Sequence, residues 1–397
     1  MIIISLLDND FYKFTMMQGV LHQYPDVDAE YTFICRTAGV NFSGMLGDIE
    51  KELDSLCTLK FSKDELDFLR LIPFFKKDFI DFLSLMKLNR EHVRPEIAPD
   101  GTLSIKVRGS WLLTILFEVP LLAIVNEIYF RKMIPEPDYE GARKFIDSKI
   151  EIIRKNREDF RFADFGTRRR HSFRWHDEVI HRLKDNLDPA CFIGSSNVFF
   201  AKKYGIKPIG TMAHEWIMAG QAVGVKLHLS QKHMLQKWTD EYRGDLGIAL
   251  SDTISVDAFL RDFDLYFAKL YDGVRHDSGD PVEFGYRIID HYKKLGINPI
   301  TKTIVFSNSL DFRKAEMLLN EFRGKINVSF GIGTNLTNDF PGVKPLNIVM
   351  KMTRCNGYPV AKISDDAEKI ICDDPGFLEY LKNVFEIIGK TSRGTLL

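Results

Sequence analysis

Short apolar runs that end in small or polar residues recur through the middle of this 397-residue chain, and they constrain its fold most strongly. The intervals from Asp252 to Asp277, from Asp277 to Ser307 and from Ser307 to Gly333 are 25, 30 and 26 residues. Because a strand, a loop and a crossover helix together need about 25–35 residues, this spacing predicts repeated βα units. Seven runs have this form: FADFGTRR (162–169), ACFIGSSN (190–197), KPIGTMAHE (207–215), LGIALSDT (246–253), YDGVRHDSGD (271–280), TIVFSNS (303–309) and NVSFGIGTN (327–335).

Continuous apolar strands with helices between them indicate a parallel sheet that is buried on both faces. Seven such strands favour an irregular α/β barrel over a small open sheet. In α/β barrels the polar residues at the carboxyl ends of the strands form the active site. The candidate functional residues are therefore the polar residues that end these runs.

The two ends of the chain have a different pattern and are predicted to form a second unit. Residues 1–130 mix short strands with amphipathic helices, as expected for an α+β domain. Within 340–397, the alternation around Asn356-Gly357 predicts a β-hairpin. We expect this segment to leave the barrel (131–339) and join the N-terminal domain. The first residues, MIIISLLDNDFYKF, lack the features of a signal peptide and are predicted to be a strand.

Composition excludes several classes of partner. The formal net charge is -1, with 54 Lys+Arg against 55 Asp+Glu, so no global field attracts nucleic acid or an acidic membrane. Any anion site must be local. Five scattered cysteines without a CxxC motif indicate reduced thiols in a cytoplasmic protein. No uncharged run approaches the ~20 residues that a membrane span needs.

Two strand ends are suited to a phosphorylated ligand. The stretch NVSFGIGTNLTND places Gly331, Gly333 and Thr334 where bare backbone N–H groups can bind a phosphate, although a plain tight turn gives the same pattern. In VRHDSGDP, Arg275 can bind a carboxylate or phosphate. Asp277 and Asp280 can hold ribose hydroxyls or a hydrated Mg²⁺, and a salt-bridged loop is the structural alternative.

Three further stretches carry candidate residues. His214, in GTMAHEW, can be a general base, a metal ligand, a nucleophile or an ordinary core histidine. In FADFGTRRRHS, Phe165 can stack on a flat anionic ring that Arg168 binds, or the arginines form a solvated charge run. The kinase interpretation of Asp-Phe-Gly fails because no HRD loop accompanies it. The segment LLDNDFYKFTMMQ sets Asp10, Tyr12 and Lys13 among apolar residues, where a capped helix start is the structural alternative.

Taken together, DNDFYKFTM, DFGTRR, GSSN, GTMAHEW, VRHDSGDP and FGIGTN resemble the nicotinate phosphoribosyltransferase family, in family order and over nearly the whole chain. The resemblance implies a cytoplasmic transferase of NAD biosynthesis that moves the phosphoribosyl group of PRPP to nicotinate, with ATP and Mg²⁺ required. It also implies an irregular α/β barrel joined to an α+β domain built from both termini. Family members are homodimers in which Asp10, Tyr12 and Lys13 would come from the partner subunit.

The resemblance also assigns roles to single residues. His214 matches a histidine that ATP phosphorylates, and Asp252 matches an acidic residue beside it. Asp277 and Arg275 match positions near the ribose and the ring. A separate group matches substrate-binding positions. Gly333 and Thr334 match the 5′-phosphate loop, Phe165, Arg168 and Ser196 match positions at the pyridine ring, and Tyr12 matches a further substrate-binding position.

Several alternatives stay open on the sequence. Nicotinamide is the nearest rival substrate, but a serine at Ser196, where the nicotinamide enzymes carry an aspartate, favours the acid because a hydroxyl can donate to a carboxylate. The GSSN match can shift by one residue, to Ser195. A sugar-phosphate aldolase-like barrel would need a Schiff-base lysine or a base at a strand end, and the absence of lysine from the terminal polar clusters counts against it. A non-enzymatic phosphoribosyl sensor would have no need for His214 with Asp252.

Overall fold

The computed structural model describes residues 1–387. Its strands in that range are β1 (Asp28–Cys35), β2 (Val93–Ile97), β3 (Leu103–Ser110), β4 (Phe162–Asp164), β5 (Phe192–Ser195), β6 (Arg243–Leu246), β7 (Ile248–Leu250), β8 (Gly273–His276), β9 (Thr303–Phe306), β10 (Asn327–Ile332), β11 (Ile348–Cys355) and β12 (Tyr358–Pro359). Its α-helices are α1 (Phe11–Gln23), α2 (Leu46–Thr58), α3 (Lys63–Arg70), α4 (Lys77–Leu85), α5 (Trp111–Thr114), α6 (Glu118–Met133), α7 (Tyr139–Lys155), α8 (Phe173–Asn186), α9 (Val198–Tyr204), α10 (His214–Ala219), α11 (Ser230–Tyr242), α12 (Val256–Asp262), α13 (Leu265–Leu270), α14 (Pro281–Lys294), α15 (Phe312–Phe322), α16 (Thr334–Thr337) and α17 (Pro375–Val384).

Six strands form a parallel sheet in the order β5-β4-β10-β9-β8-β7. Each adjacent pair is parallel, and the connections pass through helices, as right-handed βα units require. The strands are short and mostly buried, because helices cover the outside of the sheet. The carboxyl ends of all six strands therefore point to the same side of the molecule.

The seventh predicted strand, 207–215, is not a regular strand but still joins the two edges of the sheet. On one side, Pro208 forms a single parallel bridge with Ser195. On the other side, the Thr211 hydroxyl donates to the Ile248 carbonyl at 2.9 Å. The run thus closes the sheet into an irregular barrel, and the predicted fold class is confirmed.

A second, antiparallel sheet has the order β12-β11-β1-β3-β2. Strand β1 from the beginning of the chain thus pairs with β11, which lies more than 300 residues further along the chain. The predicted hairpin is confirmed: Asn356 and Gly357 both have positive φ, 49° and 78°, as a two-residue type I′ turn demands. The boundaries at residues 130 and 340 stay predictions.

The prediction of an N-terminal strand is wrong. Residues 1–9 form turns without strand pairing, and α1 begins at Phe11. Its first ten residues are all buried, so this helix lies between the barrel and the antiparallel sheet and has no solvent-exposed face over that stretch. A helix that is buried on every side, here including Lys13, Thr15 and Gln18, lacks the 3.6-residue periodicity by which amphipathic helices are recognised.

One helical stretch, Trp111–Met133, is long and apolar enough to cross a bilayer, with a mean hydropathy of 1.8. Inside the protein, 94% of its most apolar 18-residue window is buried. The stretch includes α5 and α6 and contributes a large share of the central core. Glu118 and Glu127 lie within it, and both are buried. Glu118 pairs with Lys13 and Arg168 from other elements, whereas Glu127 pairs with Arg131 one turn along the same helix.

Candidate active site

A cavity of about 530 Å³ opens at the carboxyl ends of the parallel strands. Asp252 and Lys13 lie behind its wall, both almost completely buried. The fold thus brings together segments that are more than 300 residues apart in sequence. The predicted site residues that line the cavity are Asp10, Tyr12, Phe165, Arg168, Ser196, His214, Arg275, Asp277, Gly333 and Thr334.

One end of the cavity is centred on His214, the first residue of α10. Its Nε2 lies 2.9 Å from Asp277 Oδ2, and its Nδ1 lies 3.1 Å from the Thr253 hydroxyl. Asp252 Oδ1 is 3.8 Å from Nε2. The loops after β7 and β8 supply these partners, which is why two acids from different strand ends surround one imidazole.

Lys362 is a member of this group that the sequence did not reveal. Its Nζ lies 3.0 Å from His214 Nε2 and donates to Asp252 Oδ2 at 3.1 Å. The side chain is 4% exposed. The residue comes from the segment after β12, far from the βα repeats. Its local signal is weak: a lysine between apolar residues in VAKIS, where an alternating strand gives the same pattern.

Burial and the ammonium group of Lys362 lower the pKa of His214 to about 4. Burial alone would raise the pKa of Asp277, but the hydrogen bond from His214 and the charge of Lys362 hold it well below the ordinary value. The pKa of Asp252 is lowered mainly through Lys362. The group at neutral pH is therefore a neutral imidazole between two carboxylates and one cation.

The donor atoms of His214, Asp252 and Asp277 lie within 4.8 Å of one another, which is the arrangement of a possible metal site. The Lys362 ammonium already lies among them and supplies the positive charge that these carboxylates need. Asp277, with 30% of its side chain exposed, is the acid that faces the cavity. One carboxylate fits Mg²⁺ that is held chiefly by substrate oxygens and water.

The other end of the cavity contains an aromatic ring and a guanidinium group. Phe165 lies so close to Gly331 of β10 that a Cβ there would be 2.3 Å from the ring. Arg168 Nε is 3.3 Å from Asp10 Oδ2, and its guanidinium lies 5.6 Å from the centre of the Tyr12 ring. Two aromatic residues and one cation thus border the space that a planar anion would occupy.

Two further charged residues line this end and were missed in the sequence. Glu118 Oε1 is 3.5 Å from Arg168 Nη1, and Glu118 also binds Lys13 at 2.5 Å. Burial lowers the pKa of Lys351, on β11, to about 8, although the charge of Glu118 opposes the shift. The local sequence offers no signal for Glu118 because it sits in an apolar helix.

The structure distinguishes the two serines of GSSN. Ser196 lines the cavity and donates to Asp10 Oδ1 at 2.7 Å. Ser195 points away and donates to the buried Asp164 at 2.6 Å. Consecutive residues point to opposite faces at a strand end, so only one of the two can reach the ligand space. The geometry favours Ser196.

The three consecutive arginines have three different environments. Arg168 and Arg169 line the cavity. Arg170 is fully buried and forms a two-pronged ion pair with Asp8, with distances of 2.6 and 2.7 Å. The triplet is thus neither a solvated charge run nor a single anion site, because its third member holds the N-terminal segment against the barrel.

Asp280 has a structural position. Its Oδ1 accepts from the N–H groups of Val282 and Glu283 at 2.9 and 2.8 Å, and Pro281 follows as the first residue of α14. This is an N-cap, so the hypothesis that Asp280 holds ribose or Mg²⁺ is not supported. Arg275 lines the cavity and donates to the Met212 carbonyl at 3.1 Å, two residues before His214.

The N-terminal segment reaches the cavity within a single chain. Asp10 bonds to Ser196 of the same chain, and Tyr12 lines the same cavity. Lys13 is 0% exposed and points away from the ligand space, between Glu118 and Glu215. Asp10 and Tyr12 therefore line the cavity of their own chain, and the homodimer stays a prediction.

Two family models match this chain. The model of the nicotinate phosphoribosyltransferase N-terminal domain matches residues 7–126, and that of the nicotinate phosphoribosyltransferase family matches residues 160–388. Among curated relatives, the nicotinate phosphoribosyltransferase of Cupriavidus necator is 52% identical over 98% of this chain and 99% of its own length. That of Burkholderia mallei is 52% identical over 98% of each.

Solved structures give the same result. The crystal structure of nicotinate phosphoribosyltransferase from Vibrio cholerae superposes with a TM-score of 0.93, at 41% identity over 97% of this chain and 94% of that one. The enzyme from Porphyromonas gingivalis has a TM-score of 0.92 at 35% identity, over 97% of this chain and 100% of that one. Both the barrel and the antiparallel sheet are therefore part of the similarity.

Proposed function

The chain belongs to the nicotinate phosphoribosyltransferase family, and we propose that it couples ATP hydrolysis to phosphoribosyl transfer through a phosphohistidine at His214. It is a transferase of NAD biosynthesis that makes nicotinate mononucleotide and pyrophosphate from nicotinate and PRPP. The observation that carries the ATP-linked part is the buried, neutral imidazole of His214, which shares one cavity with the proposed ring and phosphate positions.

The contacts of His214 suggest which nitrogen attacks ATP. Nε2 faces the Asp277 and Lys362 side, whereas Nδ1 faces the fully buried Thr253. For the attack, the imidazole carries its proton on Nδ1, where it is donated to the Thr253 hydroxyl, instead of on Nε2, where it is donated to Asp277. The Nε2 lone pair is then available to the γ-phosphate. That lone pair attacks the γ-phosphorus, and the bond from phosphorus to the bridging oxygen breaks as ADP leaves. The new phosphoryl group lies beside Lys362, whose ammonium offsets its charge.

The transfer to nicotinate takes place in the same cavity. The ring nitrogen attacks C1 of PRPP, and the bond from C1 to the pyrophosphate oxygen breaks with oxocarbenium character in the ribose. Asp277 orients the ribose, and the backbone at Gly333 and Thr334 holds the 5′-phosphate. Phe165 and Tyr12 border the ring. Mg²⁺, when bound near Asp277, would neutralise the departing pyrophosphate.

Nicotinate fits the ring end better than nicotinamide does. Arg168 can turn part of its guanidinium from Asp10 to a substrate carboxylate. Burial raises the pKa of Asp10, so this acid can take up a proton and reduce its repulsion of the ligand. A neutral amide would leave the charge of Arg168 without a new partner. This argument supports the acid as substrate.

The test compares His214→Ala with the native enzyme in assays containing nicotinate, PRPP and Mg²⁺, with and without ATP. We expect ATP hydrolysis to fall below about 1% of native, while slow ATP-independent synthesis of nicotinate mononucleotide remains. His181→Ala is the matched control, because His181 is exposed on α8 and pairs with Asp185. Retained ATP hydrolysis in the His214→Ala enzyme would contradict the phosphohistidine.

A further inference from the structure

We propose that helix α1 positions His214, and that Gly19 and Glu215 are the residues through which it does so. The segment concerned, residues 210–216, carries His214 from the barrel edge into α10. The proposal rests on the proposed function, because the step it affects is phosphoryl transfer to His214. It assigns to α1 a role other than lining the ring end of the cavity.

The first half of the segment is fixed to α1 by close backbone contacts. A Cβ on Gly210 would lie 3.0 Å from the backbone nitrogen of Tyr12, so the backbones of these two segments are almost in contact. One turn further, the Thr15 hydroxyl donates to the Thr211 carbonyl at 2.6 Å. Both contacts lie within four residues of His214 and leave the segment little freedom to shift along the helix.

The second half of the segment contacts the next turns of the same helix. The Ala213 N–H points at Met16 Sδ, 3.3 Å away. The six-membered ring of Trp216 packs against Gly19, where an added Cβ would be 2.9 Å from the ring atom Cη2. Gly19 is therefore the position on α1 that lets Trp216, and with it the start of α10, approach the helix.

Glu215, which directly follows His214, is held by donors from three different elements. Lys13 of α1 donates to its Oε2. Trp111 Nε1 and the Tyr31 hydroxyl donate to its Oε1 at 3.1 and 3.3 Å. Its side chain is 6% exposed and Lys13 is 0% exposed, so these hydrogen bonds form in a low-dielectric interior where they hold the carboxylate firmly.

No local feature of α10 sets where the helix begins. Its N-cap residue is Ala213, which has no side chain that can accept from the first turn. The helix is only six residues long and cannot be stable alone. The position of His214 must therefore come from tertiary contacts, and the described contacts of the segment on this side come from α1, α5 and β1.

The experiment measures transfer of the γ-phosphoryl group of radiolabelled ATP to the full-length enzyme, in Gly19→Ala and in Glu215→Gln. We expect a 10- to 100-fold slower transfer in both, because a displacement of about 1 Å is enough for such a loss. In Gly19→Ala, ATP-independent synthesis and the KM for nicotinate should stay within about twofold of native. A merely structural role would not separate these two readouts.

Two further variants control the steric argument. Gly47→Ala adds the same methyl group to a helical glycine with nothing within 4 Å, and it should phosphorylate at the native rate. The double variant Gly19→Ala/Trp216→Phe replaces the indole by a smaller ring without the atoms that the new methyl group would meet. It should recover most of the transfer rate lost in Gly19→Ala.

The outcomes distinguish this proposal from the proposed function. Label on a His214→Ala enzyme overturns the phosphohistidine itself. If His214→Ala takes no label while Gly19→Ala and Glu215→Gln are labelled within about twofold of native, only the positioning role is overturned. Circular dichroism and thermal unfolding establish that each variant is folded. If Gly19→Ala does not fold, the isosteric Glu215→Gln decides alone.

Discussion

His214 shows how two neighbours change the chemistry of one side chain. An exposed histidine is half protonated near pH 6.5, and a protonated imidazole is not a nucleophile. Burial and Lys362 lower the pKa of His214 to about 4, so its ring is neutral throughout the range in which a cell operates. The two acids beside it work in the opposite direction, and burial together with the cation of Lys362 outweighs them.

We predict that Lys362→Met makes phosphorylation of His214 sensitive to mild acid. Without the cation, Asp252 and Asp277 stabilise the imidazolium, and the pKa of His214 rises from about 4. The neutral fraction then falls as the pH is lowered towards 6. The native rate should be nearly constant between pH 7.5 and 6, whereas the variant should be slower throughout and decline over that interval. Rapid-quench measurement of the phosphoenzyme gives both profiles.

Lys369→Met is the control for this prediction. Lys369 also lines the cavity, but it donates to the Asp277 carbonyl and to Asn308, not to the imidazole. Its removal should leave the pH midpoint of phosphorylation unchanged. A Lys362→Met profile parallel to the native one, merely displaced to lower rates, would show that the lysine does not set the charge state of His214.

A second histidine affects stability. His171 packs between Phe130 and Phe340, and neither of its ring nitrogens has a hydrogen-bond partner among the described residues. Burial lowers its pKa to about 4. The unfolded chain therefore binds this proton near pH 6.5 and the folded chain only near pH 4, so stability falls as the pH drops through that window.

We expect His171→Leu to remove this part of the acid sensitivity. Between pH 7.5 and 5.0 the native protein should lose about 2 kcal/mol more unfolding free energy than the variant does. Urea unfolding at the two pH values measures the difference. An equal loss in both proteins would mean that His171 is not neutral in the folded state.

At the scale of elements, strand β8 of the parallel sheet positions two charged residues that line the cavity. It pairs with β7 and β9, contains Arg275 and leads directly into Asp277. The approach of its neighbour is unusually close at Gly273, where a Cβ would be 1.9 Å from the Thr303 carbonyl oxygen. Any side chain at this position must push the two strands apart.

Gly273→Ala should therefore destabilise the protein by about 3 kcal/mol or more and lower activity, because β8 and Asp277 move together. Gly47→Ala is again the matched control. It lies on an exposed helical position with free space around it, and it should gain up to about 1 kcal/mol from helix propensity. Chemical denaturation of both variants provides the comparison. A native-like Gly273→Ala would indicate that the strands separate at little cost.

At the scale of the whole molecule, the two sheets share one core. A single hydrophobic cluster runs from Ile2 to Val360 and includes residues of the barrel, of α1 and of the antiparallel sheet. Strand β11 lies in the antiparallel sheet, yet Lys351 on it lines the cavity. Neither sheet can be removed without exposing apolar surface of the other.

This continuity predicts one cooperative unfolding transition. Trp111 lies near the antiparallel sheet and Trp175 lies on α8 of the barrel, and both are fully buried. In a variant whose only tryptophan is Trp111, and in one whose only tryptophan is Trp175, the urea midpoint of the fluorescence should coincide with the midpoint of far-UV circular dichroism of the same variant. Two separated midpoints would show that the units unfold independently.

Much of the fold follows from local sequence patterns. The spacing of the apolar runs predicted the βα repeats because strand length and crossover length are set by backbone geometry. Asn356-Gly357 predicted the hairpin because a type I′ turn needs two positive φ values. The strand predicted at the N-terminus was wrong because burial on all sides removes the periodicity that distinguishes a helix. The 207–215 run closes the barrel without forming a full strand, which no local pattern indicates.

For the site, the sequence by itself determined the polar residues that follow the strands, since parallel strand ends must meet on one side of a sheet. His214, Asp277 and Arg168 were found in this way. Only the tertiary structure decided that Lys362, Glu118 and Lys351 join them and that Asp280 is a helix cap. These charges come from segments outside the repeats, and each is stabilised only by partners distant in sequence. A buried charge leaves no local pattern in the sequence, because the tertiary structure determines which distant residue pairs with it.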